Sequence, residues 1–156
     1  MKVLFMCTAN SCRSILSEAM FNHLAPPGFE AISSGSFPKG QVLPRSLSTL
    51  QAAGISTEGL YSKGNEAFEG SPPDVVITVC DKAAGEACPV YFGPAVKAHW
   101  GLEDPSDIDG NEASIDAAFN TTLDIIARRC RAFFALHLAS LSPAELKTEL
   151  DHIAQS

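Results

Sequence analysis

Residues 2–14 read Lys2-Val3-Leu4-Phe5-Met6-Cys7-Thr8-Ala9-Asn10-Ser11-Cys12-Arg13-Ser14, an almost continuous apolar run that stops at a cysteine and gives way to a short polar loop. Residues 2–6 have the character of a strand buried on both faces. Over residues 14–25, Ile15, Leu16, Ala19, Met20, His23 and Leu24 recur at helical spacing, and Pro26-Pro27-Gly28 ends that helix. Strand, polar turn and helix in that order begin a wound α/β fold, and the rest of the chain continues the alternation. Residues 29–33 predict a second strand, turned by Ser34-Gly35. Pro44 opens a helix carrying Leu47, Leu50 and Ala53, with Gly54 as its cap. Residues 62–73 are polar and Gly/Pro-punctuated, with one helical turn expected over 66–68. Residues 74–79, Asp-Val-Val-Ile-Thr-Val, are the strongest strand and, like the first, end at a cysteine, Cys80. A weaker strand at 96–100 leads into the acidic turn Glu103-Asp104-Pro105-Ser106-Asp107. Apolar positions from Ile115 to Leu138 predict one long amphipathic helix over 112–138. Ser142-Pro143-Ala144-Glu145 then fits a capping box opening a last short helix prone to fraying.

Strands alternating with helices predict a single-domain, three-layer α/β fold: a four-stranded parallel sheet in the order 2-1-3-4 with helices on both faces. In that order the chain winds away from the first strand in both directions, and a crevice opens at its carboxyl end, where Cys7 stands. The length of 156 residues suits one domain, with residues 1–140 as its body and 141–156 as a helical extension. At 46% hydrophobic and 19% charged, the composition is that of a globular chain. Eleven basic against 18 acidic residues leave a net charge of −7, which opposes binding to nucleic acid or to an anionic membrane surface. The run Arg128-Arg129-Cys130-Arg131 does not change this, because on a helix its arginines point in different directions. No segment approaches the ~20 apolar residues of a membrane span, and the expectation is a cytoplasmic monomer. An anionic ligand must therefore be held by a local field.

Cys7 and Arg13 form C-x5-R between a strand and a helix. Backbone N–H groups of such a turn, and those of the helix start, converge on one concavity to which the helix dipole adds positive charge. That is an oxyanion cradle made of Thr8, Ala9, Asn10, Ser11, Cys12, Arg13 and Ser14. Arg13 supplies a planar fork for two oxygens of a tetrahedral anion, and the same field favours negative charge on the Cys7 sulfur, to which Ser14 can donate. The plainer alternative is a structural Cys7 with Arg13 on a solvated helix face. Cys12 reads as a non-essential loop thiol and Cys130 as core. His23, His99, His137 and His152 are scattered and read as packing or surface residues. No cysteine spacing makes a convincing zinc site, so no metal or bound cofactor is expected.

The segment Cys7-Thr8-Ala9-Asn10-Ser11-Cys12-Arg13-Ser14 resembles the phosphate-binding loop of the low-molecular-weight tyrosine phosphatase family. Ser33-Ser34-Gly35, Val79-Cys80 through Cys88-Pro89, and His99-Trp100-Gly101-Leu102-Glu103-Asp104-Pro105 resemble its thioredoxin-coupled arsenate reductase branch. The resemblance spans about residues 2–138, with the final helix beyond it. It implies that Cys7 attacks arsenate, that Cys80 then attacks Cys7 and releases arsenite, and that Cys88 attacks Cys80 and carries the oxidation outward. Thioredoxin would restore the thiols, with glutaredoxin and glutathione as alternative donors and phosphate or sulfate as substrate mimics. Two thiols supply the two electrons that arsenate needs. The expected strand order fits, since adjacent strands lie ~4.8 Å apart and a disulfide tolerates Cα separations of ~4.4 to 6.8 Å. Asp104, in the acidic turn at the same sheet edge, is the candidate general acid, ahead of Asp107 and Asp109.

Two departures stand out. Some reductases of this branch bind potassium beside the loop through residues matching Asn10, Glu18 and Ser33, but where they carry an aspartate this chain has Lys63. The expectation is that the Lys63 ammonium replaces the ion and hydrogen-bonds Asn10, against the alternative of an ordinary exposed lysine. The interval 81–87 is also one residue longer than the resemblance implies, which makes Cys88 less secure than Cys80. The competing function is a phosphotyrosine or other phosphomonoester phosphatase using Cys7, Arg13 and Asp104. It has no need of Cys80 or Cys88, and Ser106-Asp107 after Asp104-Pro105 lacks the aromatic residues of a ring-binding slot. A non-catalytic oxyanion-binding module is disfavoured, because nucleophile, clamp and acid are present together.

Overall fold

A computed structural model describes residues 1–64, 66, 70–81 and 93–155. Four parallel strands, β1 (Lys2–Cys7), β2 (Glu30–Gly35), β3 (Val75–Thr78) and β4 (Val96–His99), lie in the order β2-β1-β3-β4, as the alternating pattern predicts. Among the described residues the helices are α1 (Arg13–Leu24), α2 (Pro44–Ala52), α3 (Glu112–Phe134) and α4 (Pro143–Ile153). β1 is continuously apolar because it is central: Lys2 to Cys7 pair with Glu30 to Gly35 on one side, and Val3 to Met6 with Val75 to Thr78 on the other. Its side chains divide by parity. Val3, Phe5 and Cys7 enter the main core with Leu16, Phe21, Phe119, Leu123 and Phe133, while Leu4 and Met6 meet Val76 and Ile32 on the opposite face.

The helix ends follow local chemistry. α2 closes in a Schellman motif: Ile55 N–H reaches Leu50 O at 2.9 Å, Gly54 N–H reaches Gln51 O at 3.1 Å, and Gly54 takes φ +76°. α3 stops at Phe134, short of the expected Leu138, and a separate 3-10 turn covers Leu138–Ser140. At its end Phe133 and Phe134 seat against Phe21 and Phe29, with the Phe21–Phe134 centroids 4.7 Å apart. Ala135 N–H is shared between Arg131 O (3.1 Å) and Ala132 O (3.3 Å), and Leu136 N–H bonds only the i−3 carbonyl of Phe133 at 3.1 Å, the tightening typical of a last turn.

The final helix is an integral part of the core. Its capping box at Ser142 and Glu145 is formed, it buries Leu146, Leu150 and Ile153, and Trp100 Nε1–H donates to Leu150 O at 3.0 Å. Of the turn expected over 66–68, residues 67 and 68 lie outside the described residues.

Candidate active site

Cys7 ends β1, and α1 starts at Arg13, so residues 8–12 form the connecting loop. Its carbonyls are pinned outward. Cys7 O accepts from Ser36 N–H (3.2 Å), Thr8 O from Phe37 N–H (2.8 Å), and Ala9 O from Lys39 N–H (3.0 Å) and Ser62 Oγ (3.1 Å). Ser11 O accepts from Leu43 N–H (3.0 Å) and Ser46 Oγ (3.2 Å). In a trans peptide the N–H points opposite to the carbonyl, so the amides of Thr8, Ala9, Asn10 and Cys12 turn inward. Asn10 N–H accordingly donates to Cys7 Sγ at 3.3 Å. No side chain caps α1, leaving its first N–H groups directed into the same concavity. Asn10 holds φ +48°, the left-handed turn that such a nest of amides requires. Gly35 allows the loop to sit this low on β2: a Cβ there would lie 2.5 Å from Thr8 O and 2.9 Å from Asn10 N.

The sulfur has a second donor. Ser14 Oγ lies 2.8 Å from Cys7 Sγ and already accepts from Asn10 Nδ2 at 2.7 Å, which directs its own proton to the sulfur. The Asn10 amide cannot turn round, because its Oδ1 accepts the Lys63 backbone N–H at 2.9 Å and its Nδ2 also reaches Ser33 Oγ at 3.0 Å. Behind this layer, Ser33 Oγ–H donates to Glu18 Oε1 (2.6 Å). Lys63 Nζ reaches Glu18 Oε1 and Ser33 Oγ (3.2 Å each) and Tyr61 O (3.0 Å). At 7% exposure Lys63 is not a surface lysine. One detail of the expectation is corrected: the bond to Asn10 comes from the Lys63 backbone, and the ammonium reaches Asn10 only through Ser33. The Glu18 carboxylate, the Ser33 hydroxyl and the Tyr61 carbonyl take the ammonium, leaving Asn10 to the backbone amide.

Arg13 is buried. Its NH1 donates to Leu102 O at 3.2 Å, and its NH2 stands 3.5 Å from Asp104 Oδ2. The other oxygen of Asp104 accepts from Ser106 N–H (2.9 Å) and Ser106 Oγ–H (2.6 Å), which fixes the carboxylate over the turn Pro105–Asp107. Asp107 and Asp109 are exposed. Burial pushes the Cys12 thiol up to about 12 despite its hydrogen bond with Ser46, and pushes Cys130 up to about 12 as well. Both stay protonated, and neither is a competent nucleophile.

β3 brings Cys80 to the same edge. Val79 N–H donates to Met6 O at 2.9 Å, and Cys80 follows, wholly buried, at the carboxyl end of the strand beside Cys7. Cys80 is disulfide-bonded, whereas Cys7, Cys12 and Cys130 are free. Cys88 lies outside the described residues. His99, at the end of β4, pairs through Nδ1 with Thr78 Oγ1 at 2.8 Å on β3. No cluster of three or more metal-ligating side chains occurs among the described residues. Sequence reading missed Ser46, Ser62 and the Leu102 carbonyl, and took Gly35 as a turn residue without its role as the seat of the loop on β2.

A sequence model of the low molecular weight phosphotyrosine protein phosphatases matches residues 2–151. The chain belongs to that family. The match runs through most of α4, past the limit near residue 138 at which the motif resemblance ended. The arsenate reductase of Halalkalibacterium halodurans is 28% identical over 131 residues, covering 84% of this chain and 93% of its own. An arsenate reductase structure from Archaeoglobus fulgidus superposes with TM-score 0.72 at 23% identity, covering 86% of this chain and 99% of that one, and shows the shared fold. The thioredoxin-dependent arsenate reductase of Corynebacterium glutamicum superposes with TM-score 0.63 at 27% identity, covering 85% of this chain and 59% of that one. No helix among the described residues is long and apolar enough to cross a membrane.

Proposed function

We propose that this family member reduces arsenate to arsenite, with Cys7 as nucleophile, Cys80 and Cys88 as successive disulfide partners, and a thioredoxin-type dithiol as the external reductant. The observation that carries the reading is a free Cys7 seated in an amide-lined loop while Cys80, on the adjoining strand edge, is disulfide-bonded. An ester-cleaving phosphatase has no use for that second sulfur. The relatives named arsenate reductase support arsenate as the oxyanion.

In this reading the amides and Arg13 hold the tetrahedral anion, and the Cys7 thiolate, steadied by Ser14 and Asn10, forms a sulfur–arsenic bond. Asp104, fixed beside Arg13, gives a proton to the departing hydroxide. The Cys80 thiolate then attacks Cys7 Sγ. The sulfur–arsenic electron pair passes to arsenic, which leaves as arsenite, and a Cys7–Cys80 disulfide remains. Attack by Cys88 on Cys80 frees Cys7 and moves the disulfide to the pair that the donor reduces. Glu18, Ser33 and Lys63 hold Asn10 and hence the loop.

The test is arsenate-dependent NADPH oxidation with thioredoxin and its reductase, repeated with glutaredoxin and glutathione. Cys80→Ser is expected to abolish multiple turnover, to below a hundredth of wild type, while leaving Cys7 able to react once. Sustained arsenite production by Cys80→Ser refutes the relay. A phosphatase reading has one observation in its favour: an open groove of about 620 Å3, lined by Leu43, Ile108, Ile115 and Phe119, runs beside Ser106 and could cover an organic ester. Phosphomonoester hydrolysis that survives Cys80→Ser, without arsenate turnover in the wild type, would establish it.

A further inference from the structure

The chain approaches Asp104 through three consecutive residues, each tied to a different part of the molecule. Trp100 Nε1–H donates to Leu150 O of α4 (3.0 Å), Gly101 O accepts from Arg129 NH1 (3.1 Å), and Leu102 O accepts from Arg13 NH1 (3.2 Å). Arg129, on α3, gives its other terminal nitrogen to Ala154 O at 3.2 Å, at the C-terminal end of α4. It is only 7% exposed, and among the described residues its Nε has no hydrogen-bond partner and its guanidinium no carboxylate.

A buried arginine usually owes its place to a carboxylate, since desolvating the charge is unfavourable without one. Here the charge is spent on two neutral carbonyls, one in the segment leading to the acid and one in the last turn of the molecule. An aliphatic side chain would fill the same space without the desolvation penalty, so packing does not explain it. The segment it holds passes close to the β3 edge: a Cβ on Gly101 would lie 2.9 Å from His99 Nε2 and 3.4 Å from Cys80 O, so the backbone comes this near only because residue 101 is a glycine.

We infer that Arg129 is a positioning residue: by fixing the Gly101 carbonyl it sets the Leu102 carbonyl that orients Arg13, and with it the placement of Asp104, coupling the end of α4 to the oxyanion cradle. The inference rests on the proposed reading only in taking Arg13 as the anion clamp. It does not depend on arsenate or on the cysteine relay.

Inorganic phosphate is the probe. Its dissociation constant is measured by titration for the full chain, beside the thermal midpoint, in wild type, Arg129→Met and Leu146→Ala. Leu146→Ala serves as the control for lost stability, because it opens the core under α4 without touching the Arg129 contacts. Arg129→Met is expected to weaken phosphate about tenfold, the scale of misplacing a binding group by a fraction of an ångström. Leu146→Ala should lower the midpoint while leaving phosphate affinity close to wild type. Should Arg129→Met not fold, Arg129→Gln, uncharged and too short to span both carbonyls, is read in the same way. Phosphate affinity unchanged in a folded Arg129 variant overturns the inference, as does a loss in Leu146→Ala equal to that in the Arg129 variant. Absence of arsenate turnover in a wild type that binds phosphate normally would count against the proposed function and leave the role of Arg129 standing.

Discussion

Lys63 and Glu18 form a nearly enclosed ion pair, 3.2 Å apart, beneath the loop that Asn10 supports. Removing one partner of such a pair leaves an uncompensated charge in a poorly solvated place. Lys63→Met is therefore expected to lower the unfolding free energy by about 3 kcal/mol in urea titration. It should also weaken phosphate binding, because Ser33 and Asn10 lose their anchor. Potassium should restore part of both losses in the variant and do nothing for wild type, so a wild type whose catalytic efficiency climbs with potassium would show that the ammonium does not stand in for the ion. Cys7, Asn10, Arg13 and Ser14 were legible in the sequence because their geometry is local, fixed by one strand-to-helix turn. Ser46, Ser62 and Arg129 were not. Each acts by gripping a backbone carbonyl 28 to 53 residues away, and no spacing rule marks such a contact.

At the level of elements, α4 has its own switch in the capping box. Ser142 Oγ accepts from Glu145 N–H at 3.2 Å, and Glu145 Oε1 accepts from Ser142 N–H at 2.9 Å. The Ser142 backbone N–H, and after it the Ser142 hydroxyl, hold the Glu145 carboxyl below its ordinary range. Ser142→Ala is expected to cost about 1 kcal/mol, with faster amide exchange in the first turn of α4. The pH sense follows from the depressed value. Glu145's contribution is present above the unfolded value of 4.5 and is lost as pH falls through the depressed folded value, so the gap between wild type and Ser142→Ala should narrow on acidification by the share that the Ser142 hydroxyl gives to the carboxylate. A constant gap from pH 7 to pH 3 would show that the carboxylate plays no part. The box was readable because it is a four-residue pattern. The end of α3 was not, since Leu136 and Leu138 continue the apolar stripe while the backbone already turns to i−3 bonding at Leu136. Strand order was readable because β1 and β3 are apolar except at Lys2 and Thr78, as strands flanked on both sides tend to be.

Across the whole molecule, the free thiols the proposed chemistry does not use are kept inert by burial, and this sets its alkaline limit. Cys12 and Cys130 hold their protons up to about 12 when folded, against 9.0 for the ordinary thiol. Below pH 9 both states are protonated and nothing is lost. Between pH 9 and 12 the unfolded chain releases two protons that the folded chain retains, so stability falls by about 1 kcal/mol per pH unit for each thiol. Urea midpoints collected from pH 7 to 10.5 should therefore decline steeply above pH 9 in wild type and more gently in the Cys12→Ala/Cys130→Ala double variant, whatever its starting stability. Equal slopes would show that these thiols ionise in the folded protein as they do in water. Cys12 would then also be a nucleophile within the loop, able to intercept the proposed Cys7–Cys80 disulfide. The proposed relay through chosen sulfurs requires the other thiols to stay silent, and burial in the apolar core meets that requirement at the expense of resistance to alkali.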